Sequence, residues 1–247
     1  MALVRCGLWV LPFARLRKLV AALPRKISAE TFAATLRSNC ELGLVHPAGH
    51  LVELQWAFTP AYFPFPIDFD ALFERRQAVA IGGGMGYTLG TEDLLAALCI
   101  HGTKHQWARL SWIADVARLL EISPDLDWDV VRCNARTGRV IGLGIALAEE
   151  LNHGAASSQG DPAIAALARQ AGKILWGQEP SGIWPQLRFY LAVCPRAQDK
   201  AVTLWRFAVT PTAGDCASID LPPWLSFLYY LVRPFRLLGA YVFSRGD

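Results

Sequence analysis

Between Thr91 and Glu121 the apolar positions fall into two runs at helical spacing. Leu94, Leu95, Leu98 and Gly102 form one stripe, and Leu110, Ile113, Ala114, Ala117 and Leu120 form the next. The pattern predicts two helices, broken or bent between Trp107 and Ser111. Thr91 is the expected N-cap of the first, and Glu92 and Asp93 put negative charge on the positive end of its dipole. Upstream the period changes. Leu42 to Trp56 predicts a β-hairpin turning at Pro47-Ala48-Gly49, with Val52, Leu54 and Trp56 on one face of the second strand and Glu53 and Gln55 on the other. Pro60 to Pro66 reads as an aromatic, proline-rich loop. A helix from an Asp70 cap through Phe73 to Gln77 follows, then a short hairpin from Val79 to Leu89 around Gly82-Gly83-Gly84-Met85-Gly86. Residues 1–24 predict a basic amphipathic helix, kinked or ended at Pro12, and Ser28 to Ser38 a second helix capped by Ser28.

Downstream, Asp127 is the expected cap of a further helix, and Thr137 to Leu151 forms another with Gly142 and Gly144 inside it. Each of these glycines costs roughly 1 kcal/mol against alanine in a helix, so close packing against a neighbour is expected there. His153 to Asp161 is small, polar and linker-like. Pro162 to Trp176, Trp184 to Cys194, Lys200 to Thr210 and Pro222 to Phe243 all read as helices. The fold class is therefore α+β, predominantly α, divided as N-terminal helices over 1–37, an αβ segment over 38–90 and a helical domain over 91–247.

Composition changes this picture in three places. With 247 residues, 53% of them hydrophobic, the chain can bury a substantial core. A net charge of +3, with no concentrated basic stretch, gives no reason to expect nucleic acid as a partner. The cysteines at 6, 40, 99, 133, 194 and 216 are scattered without metal-ligand spacing, which points to reduced thiols and a cytoplasmic setting. Two apolar regions, Leu3 to Val20 and Trp224 to Phe243, are interrupted by arginines and a proline, so each reads as an interfacial or buried terminal helix and not as a membrane span.

Ionisable groups gather at the join of the two central helices: His101, Lys104, His105, Arg109 and Asp115. His101 and His105 stand four apart and share a helix face. That spacing suits a zinc ion given a third ligand, but Gly102 stands where zinc proteases carry a glutamate, and a hydrogen-bonding pair is the expected role. Lys104 and Arg109 are candidate phosphate contacts, set against the ordinary role of solvated or ion-paired surface residues. Glu53 is a strand carboxylate. Alone it cannot build a two-metal centre, which needs several oxygens around ions ~3.5–4 Å apart. Gly82 to Gly86 has no Lys-Ser or Lys-Thr after it and is no P-loop. Asp68-Phe69-Asp70 and Asp125 to Asp129 read as helix caps.

Val45-His46-Pro47 with Leu51 to Trp56, then Leu89 to Leu120, then Gly142 to Leu151 resemble the uncharacterised bacterial nucleotidyltransferase family of the polymerase-β-like superfamily. The His-Gly-x-Lys-His-x-Trp-x-Arg-Leu-x-Trp-x-x-Asp block from His101 to Asp115 is the most specific part. Arg206 to Thr212 with Asp215, and Tyr229 to Leu238, agree with it. The resemblance implies an αβ core and a helical domain, with the 38–90 hairpin a remnant of the catalytic sheet. It also implies transfer of a nucleotidyl group from an NTP substrate to an acceptor hydroxyl, promoted by Mg2+. Glu53-Leu54-Gln55-Trp56 matches the family's Glu-Leu-His-Trp strand, with glutamine in the histidine position, making Glu53 the catalytic, metal-binding third carboxylate. Lys104 and Arg109 would contact the nucleotide. His101, His105 and Asp115 would serve as scaffold or acceptor site.

The family's Gly-Ser turn and Asp-x-Asp strand are not among the 52 residues before Glu53. The expectation is a family member lacking that segment, weak or inactive alone. The alternative is a non-catalytic helical module that docks a protein partner or an acceptor, with the aromatics of Tyr62 to Phe65 and the basic terminal helix as contact surfaces. A third reading is peripheral membrane attachment through 1–20 and 224–243.

Overall fold

The computed structural model describes residues 3–6, 9–12, 36, 38–45, 51–65, 67–132, 137–153, 161–179, 182–219 and 221–243. Among the described residues six strands form three antiparallel hairpins: β1 (Leu3–Cys6) with β2 (Trp9–Pro12), β3 (Glu41–Val45) with β4 (Leu51–Gln55), and β5 (Gln77–Ile81) with β6 (Gly84–Thr88). The helices are α1 (Phe69–Glu74), α2 (Thr91–Lys104), α3 (Leu110–Ile122), α4 (Trp128–Arg132), α5 (Gly138–His153), α6 (Pro162–Leu175), α7 (Ile183–Val193), α8 (Ala197–Val209), α9 (Ala213–Ser218) and α10 (Tyr229–Phe243). A 3-10 turn at Pro223–Leu228 leads into the last. The architecture is α+β and mostly helical, as the patterning predicts.

The chain divides into two compact units, residues 1–62 with 205–247 and residues 63–204. In the first unit, the N-terminal helix expected over 1–24 is replaced across 3–12 by a hairpin in which Leu3 faces Pro12 and Cys6 faces Trp9. Val4, Trp9 and Val10 favour extended backbone, Gly7 interrupts a helix, and Pro12 sits at a strand end where its missing N–H is tolerated. The rest of that segment, most of the Ser28 to Ser38 helix, the Pro47-Ala48-Gly49 turn and residues 154–160 of the expected linker lie outside the described residues. Leu36 and Ser38 are helical. The β3–β4 hairpin is present with Glu41 opposite Gln55 and Gly43 opposite Glu53, and β1 runs alongside β4.

The second unit is a helical bundle. Helix α5 packs against α2, α3 and α6, α2 against α3 and α4, and α6 against α7. Its centre is built from side chains such as Leu95, Ile100, Val116, Val140 and Leu143, all 2% exposed or less. Phe63 and Phe65, expected on a contact surface, are buried instead. Phe63 meets Phe65 and Tyr190 edge-on, with ring centroids 5.8 and 5.0 Å apart, because a proline-rich loop with no ladder of its own is held by aromatic packing. Two caps differ from expectation by a residue or two. Gly90, not Thr91, is the N-cap of α2, and Asp68, not Asp70, caps α1, its Oδ1 accepting from the amides of Asp70 and Ala71. Asp127 caps α4 as predicted, accepting from Asp129 and Val130. The β5–β6 turn uses Gly82 and Gly83 at φ +54° and +83°.

The C-terminal part of the first unit is held by a buried carboxylate. Asp215 in α9, a helix the patterning did not predict, is 0% exposed. Its Oδ2 accepts from Thr212 N–H (2.7 Å) and Thr212 Oγ1–H (2.8 Å), and its two oxygens pair with Arg233 and Arg236 of α10. Arg233 also donates to the carbonyl of Phe207 (3.4 Å). Burial pulls the Arg233 guanidinium below its usual range, and Asp215 opposes that pull. Tyr229 is fastened nearby, donating its hydroxyl to the Ile219 carbonyl (2.8 Å) and accepting from Leu221 N–H (3.1 Å).

Removing the charge from Asp215 leaves a buried guanidinium without its counter-ion. Asp215→Asn is expected to destabilise the chain by about 3 kcal/mol or more, read as a lower urea midpoint, whereas Asp70→Asn on the exposed first turn of α1 shifts it little.

Candidate functional site

The predicted ionisable cluster lies on a corner between α2 and α3. Helix α2 ends because the chain turns left-handed: Gln106 and Trp107 have φ of +56° and +58°. Trp107 N–H donates to the Gly102 carbonyl (2.8 Å) and Gln106 N–H to the Thr103 carbonyl (3.0 Å), the paired bonds of a Schellman C-cap with glutamine where glycine is usual. The turn drives the Trp107 ring back against α2. A Cβ on Gly102 would lie 2.5 Å from Trp107 Cζ3, so glycine is required there. The same ring reaches α5, where a Cβ on Gly144 would sit 3.2 Å from Trp107 Cη2 and would collide with Cys99 Sγ. Trp107 is thus wholly buried between two glycines. Its Nε1 has no hydrogen-bond partner among the described residues, a cost of about 1–3 kcal/mol that the packing of the indole must offset.

On the outside of the corner, the rings of His101, His105 and Trp112 form one cluster. Centroids are 4.8 Å apart for the two histidines, 5.3 Å for His101 and Trp112, and 5.0 Å for His105 and Trp112. Arg109 is exposed and its guanidinium lies 5.4 Å from the Trp112 ring centre. Asp115 is exposed one turn further along α3. Lys104 differs from Arg109: the residue is only 5% exposed, and its carbonyl accepts from the Tyr190 hydroxyl (2.7 Å), which in turn accepts from Gln186 Nε2 (2.9 Å). The corner therefore groups His101, His105, Arg109 and Trp112 at the surface and encloses Lys104.

Glu53 belongs to the other unit, opposite Gly43 in the β3–β4 hairpin. Its side chain lies outside the described ones. Glu41, across from Gln55, is a second carboxylate on the same hairpin, which the sequence reading passed over. It accepts from Gln55 Nε2 (3.2 Å). Tyr62 is close enough to share this electrostatic environment. Burial raises its phenol above the usual value, Cys40 and Glu41 add to the rise, and Arg233 opposes it. The Tyr62 ring meets Phe207 edge-on at 5.9 Å, and Arg233 sits 5.4 Å from that same ring. No motif announces Tyr62, Glu41 and Arg233, because they are far apart in sequence. Among the described residues no group of three or more His, Cys, Asp or Glu side chains is arranged to hold a metal ion. The described donors do not make up the three-carboxylate set that the two-magnesium chemistry takes.

Two measurements test the corner. Gly144→Ala gains about 1 kcal/mol of helix propensity but forces its Cβ into the buried Cys99 and Trp107, so a net loss of about 1–2 kcal/mol is expected. Gly172→Ala in α6, with nothing within 4 Å, should raise stability by about 0.5–1 kcal/mol; urea denaturation of both reads the difference in sign. Burial pushes the Cys99 thiol up from 9.0 to about 12. Because the folded value lies above the unfolded one, the native state keeps the proton longer, and this contribution is whole below pH 9 and lost as pH rises toward 12. Cys99 should resist iodoacetamide at pH 8.5 in the native chain and react once urea unfolds it; mass spectrometry of the tryptic peptide checks this.

Residues 25–151 match the family model described as uncharacterised nucleotidyltransferase, a span that takes in the β3–β4 hairpin, the α2–α3 corner and α5 as far as Leu151. No curated protein and no solved structure matches the chain. That match covers more than half of the sequence and includes both the strand of Glu53 and the glycine-flanked Trp107 corner, so the chain belongs to the uncharacterised nucleotidyltransferase family.

Proposed function

We propose that the chain serves transfer of a nucleotidyl group from an NTP to an acceptor hydroxyl, and that by itself it performs this reaction weakly or not at all. The class rests on the family match over 25–151. The low activity rests on one observation: the family's Gly-Ser turn and Asp-x-Asp pair are not among the 52 residues before Glu53, so the carboxylates that would clamp two ions with it are not in that stretch. In this reading Glu53 is the metal-binding carboxylate and Mg2+ the ion it would hold. Arg109 is favoured over Lys104 as the phosphate contact because it is exposed, while Lys104 is enclosed and would need the corner to loosen. His101, His105 and Asp115 flank Arg109 on the same corner and are the candidates for holding an acceptor.

Pyrophosphate release tests the proposal, measured for the purified chain with each NTP in magnesium. Release at background, unchanged in Glu53→Ala, is the expected result. Robust magnesium-dependent release abolished by Glu53→Ala would overturn the low-activity reading and require carboxylates from another source. Nucleotide binding followed by calorimetry separates Arg109→Ala, expected to weaken affinity about tenfold, from Lys104→Ala, expected to act first on stability.

A further inference from the structure

Helix α10 buries a charge among apolar neighbours. On its inward side, with Tyr229 and Leu237, Arg233 is 3% exposed and paired with the fully buried Asp215. Its outward side is apolar. Leu231, Phe235 and Leu238, with Phe227 of the 3-10 lead-in before them, recur at three- and four-residue spacing with exposures of 60, 73, 59 and 61%, and Trp224, also on the lead-in, is 74% exposed. A groove of about 500 Å³ opens along this side, lined by Ile219, Leu228, Leu231 and Phe235, with Arg236 among its few polar members. Buried ion pairs hold α10 in place, so the exposed face is not a consequence of a loosely docked helix. An apolar stripe of this length on a folded surface marks a contact with something apolar.

Charge decides between occupants. The unit that carries this stripe, residues 1–62 and 205–247, contains eleven Lys and Arg against six Asp and Glu, whereas residues 63–204 contain thirteen against fifteen. Pairing the stripe with a second copy would set two positively charged units face to face. An anionic lipid surface offers hydrocarbon to the stripe and opposite charge to the unit that carries it. Trp and Phe on such a face suit the boundary between headgroups and acyl chains. The 15-residue α10 carries Pro234 and two arginines, and no described helix is long and apolar enough to cross a membrane, so the helix would lie along the surface.

We propose that the outward face of α10 and its 3-10 lead-in is a docking surface for an anionic phospholipid bilayer. The test is flotation of the full chain with vesicles of phosphatidylcholine alone and of phosphatidylcholine with phosphatidylglycerol. The chain should float with the anionic vesicles and much less with the neutral ones, and added salt should weaken the binding. Leu231→Asp with Phe235→Asp should lower the bound fraction about tenfold or more, because each buries a charge where an apolar group sat. Trp224→Ser, on the turn before the helix, should give a drop of the same kind and serves where the double variant loses its helical circular dichroism. Trp176→Asp, equally exposed at 73% but in the other unit, should leave flotation unchanged. Wild-type protein that stays at the bottom with both vesicle types overturns the proposal, as does flotation that survives all the α10 and Trp224 replacements. A doubled mass in solution, abolished by Leu231→Asp with Phe235→Asp and unaccompanied by flotation, assigns the face to a second copy and overturns it equally.

Discussion

The helical unit depends on one ring seated between two glycines. Trp107 is carried inward by a left-handed turn at residues 106 and 107 and lies against Gly102 of its own preceding helix and Gly144 of α5. The backbone approaches the indole closely enough that any side chain at either glycine would intrude. Each glycine gives up roughly 1 kcal/mol of helix propensity, and two consecutive residues with positive φ add strain of about 1–2 kcal/mol each. Burial of a whole indole and the contacts it makes in a dense core are the terms large enough to offset this. The same turn aims α3 so that Trp112 meets His101 and His105, and it leaves the Lys104 carbonyl facing Tyr190. Packing inside the corner thus determines which polar groups appear on its outside.

A different constraint holds the other unit. There the buried element is a charge, Asp215, and the chain surrounds it with Thr212, Arg233 and Arg236. Two guanidiniums on one carboxylate satisfy the buried acid and orient α10 about its axis. That orientation turns Arg233 inward beside Tyr229 and Leu237 and leaves Leu231, Phe235 and Leu238 outward, so an electrostatic requirement in the interior helps set which apolar residues face out. The same Arg233 is felt at Tyr62, which links the C-terminal helix to the neighbourhood of the β3–β4 hairpin within the unit.

Much of the element order is legible in the chain. Period-2 alternation marked the β3–β4 hairpin, a glycine cluster marked the β5–β6 turn, and the stripes of 94–102 and 110–120 marked the two central helices. These signals are local, since they arise from which face of a single element is apolar. Misreadings came where local signals compete. The arginines of 1–24 suggest an amphipathic helix, yet residues 3–6 and 9–12, with Val4, Trp9 and Val10 among them, pair as strands. Within α2 and α3 the stripe is shifted: Leu95 and Ile113 are buried as expected, but Leu110 is 49% exposed, while Ile100 and Val116, outside the predicted stripes, belong to the core. Helical periodicity defines a face to within about one residue's rotation, and the neighbours present decide which edge of it is covered.

By itself the sequence determined the predominantly helical class, the break between the two central helices, the tolerance of Gly144 in a helix and the family kinship carried by the block from His101 to Asp115. Each follows from residue types at fixed spacing. Only the tertiary structure decided that Lys104 is enclosed while Arg109 is exposed, that Phe63 and Phe65 are core, and that Glu41, Tyr62 and Arg233 share one electrostatic environment. Burial and electrostatic coupling depend on what lies across the fold from a residue. Partners such as Tyr62 and Arg233, more than a hundred residues apart along the chain, leave no periodic trace in it.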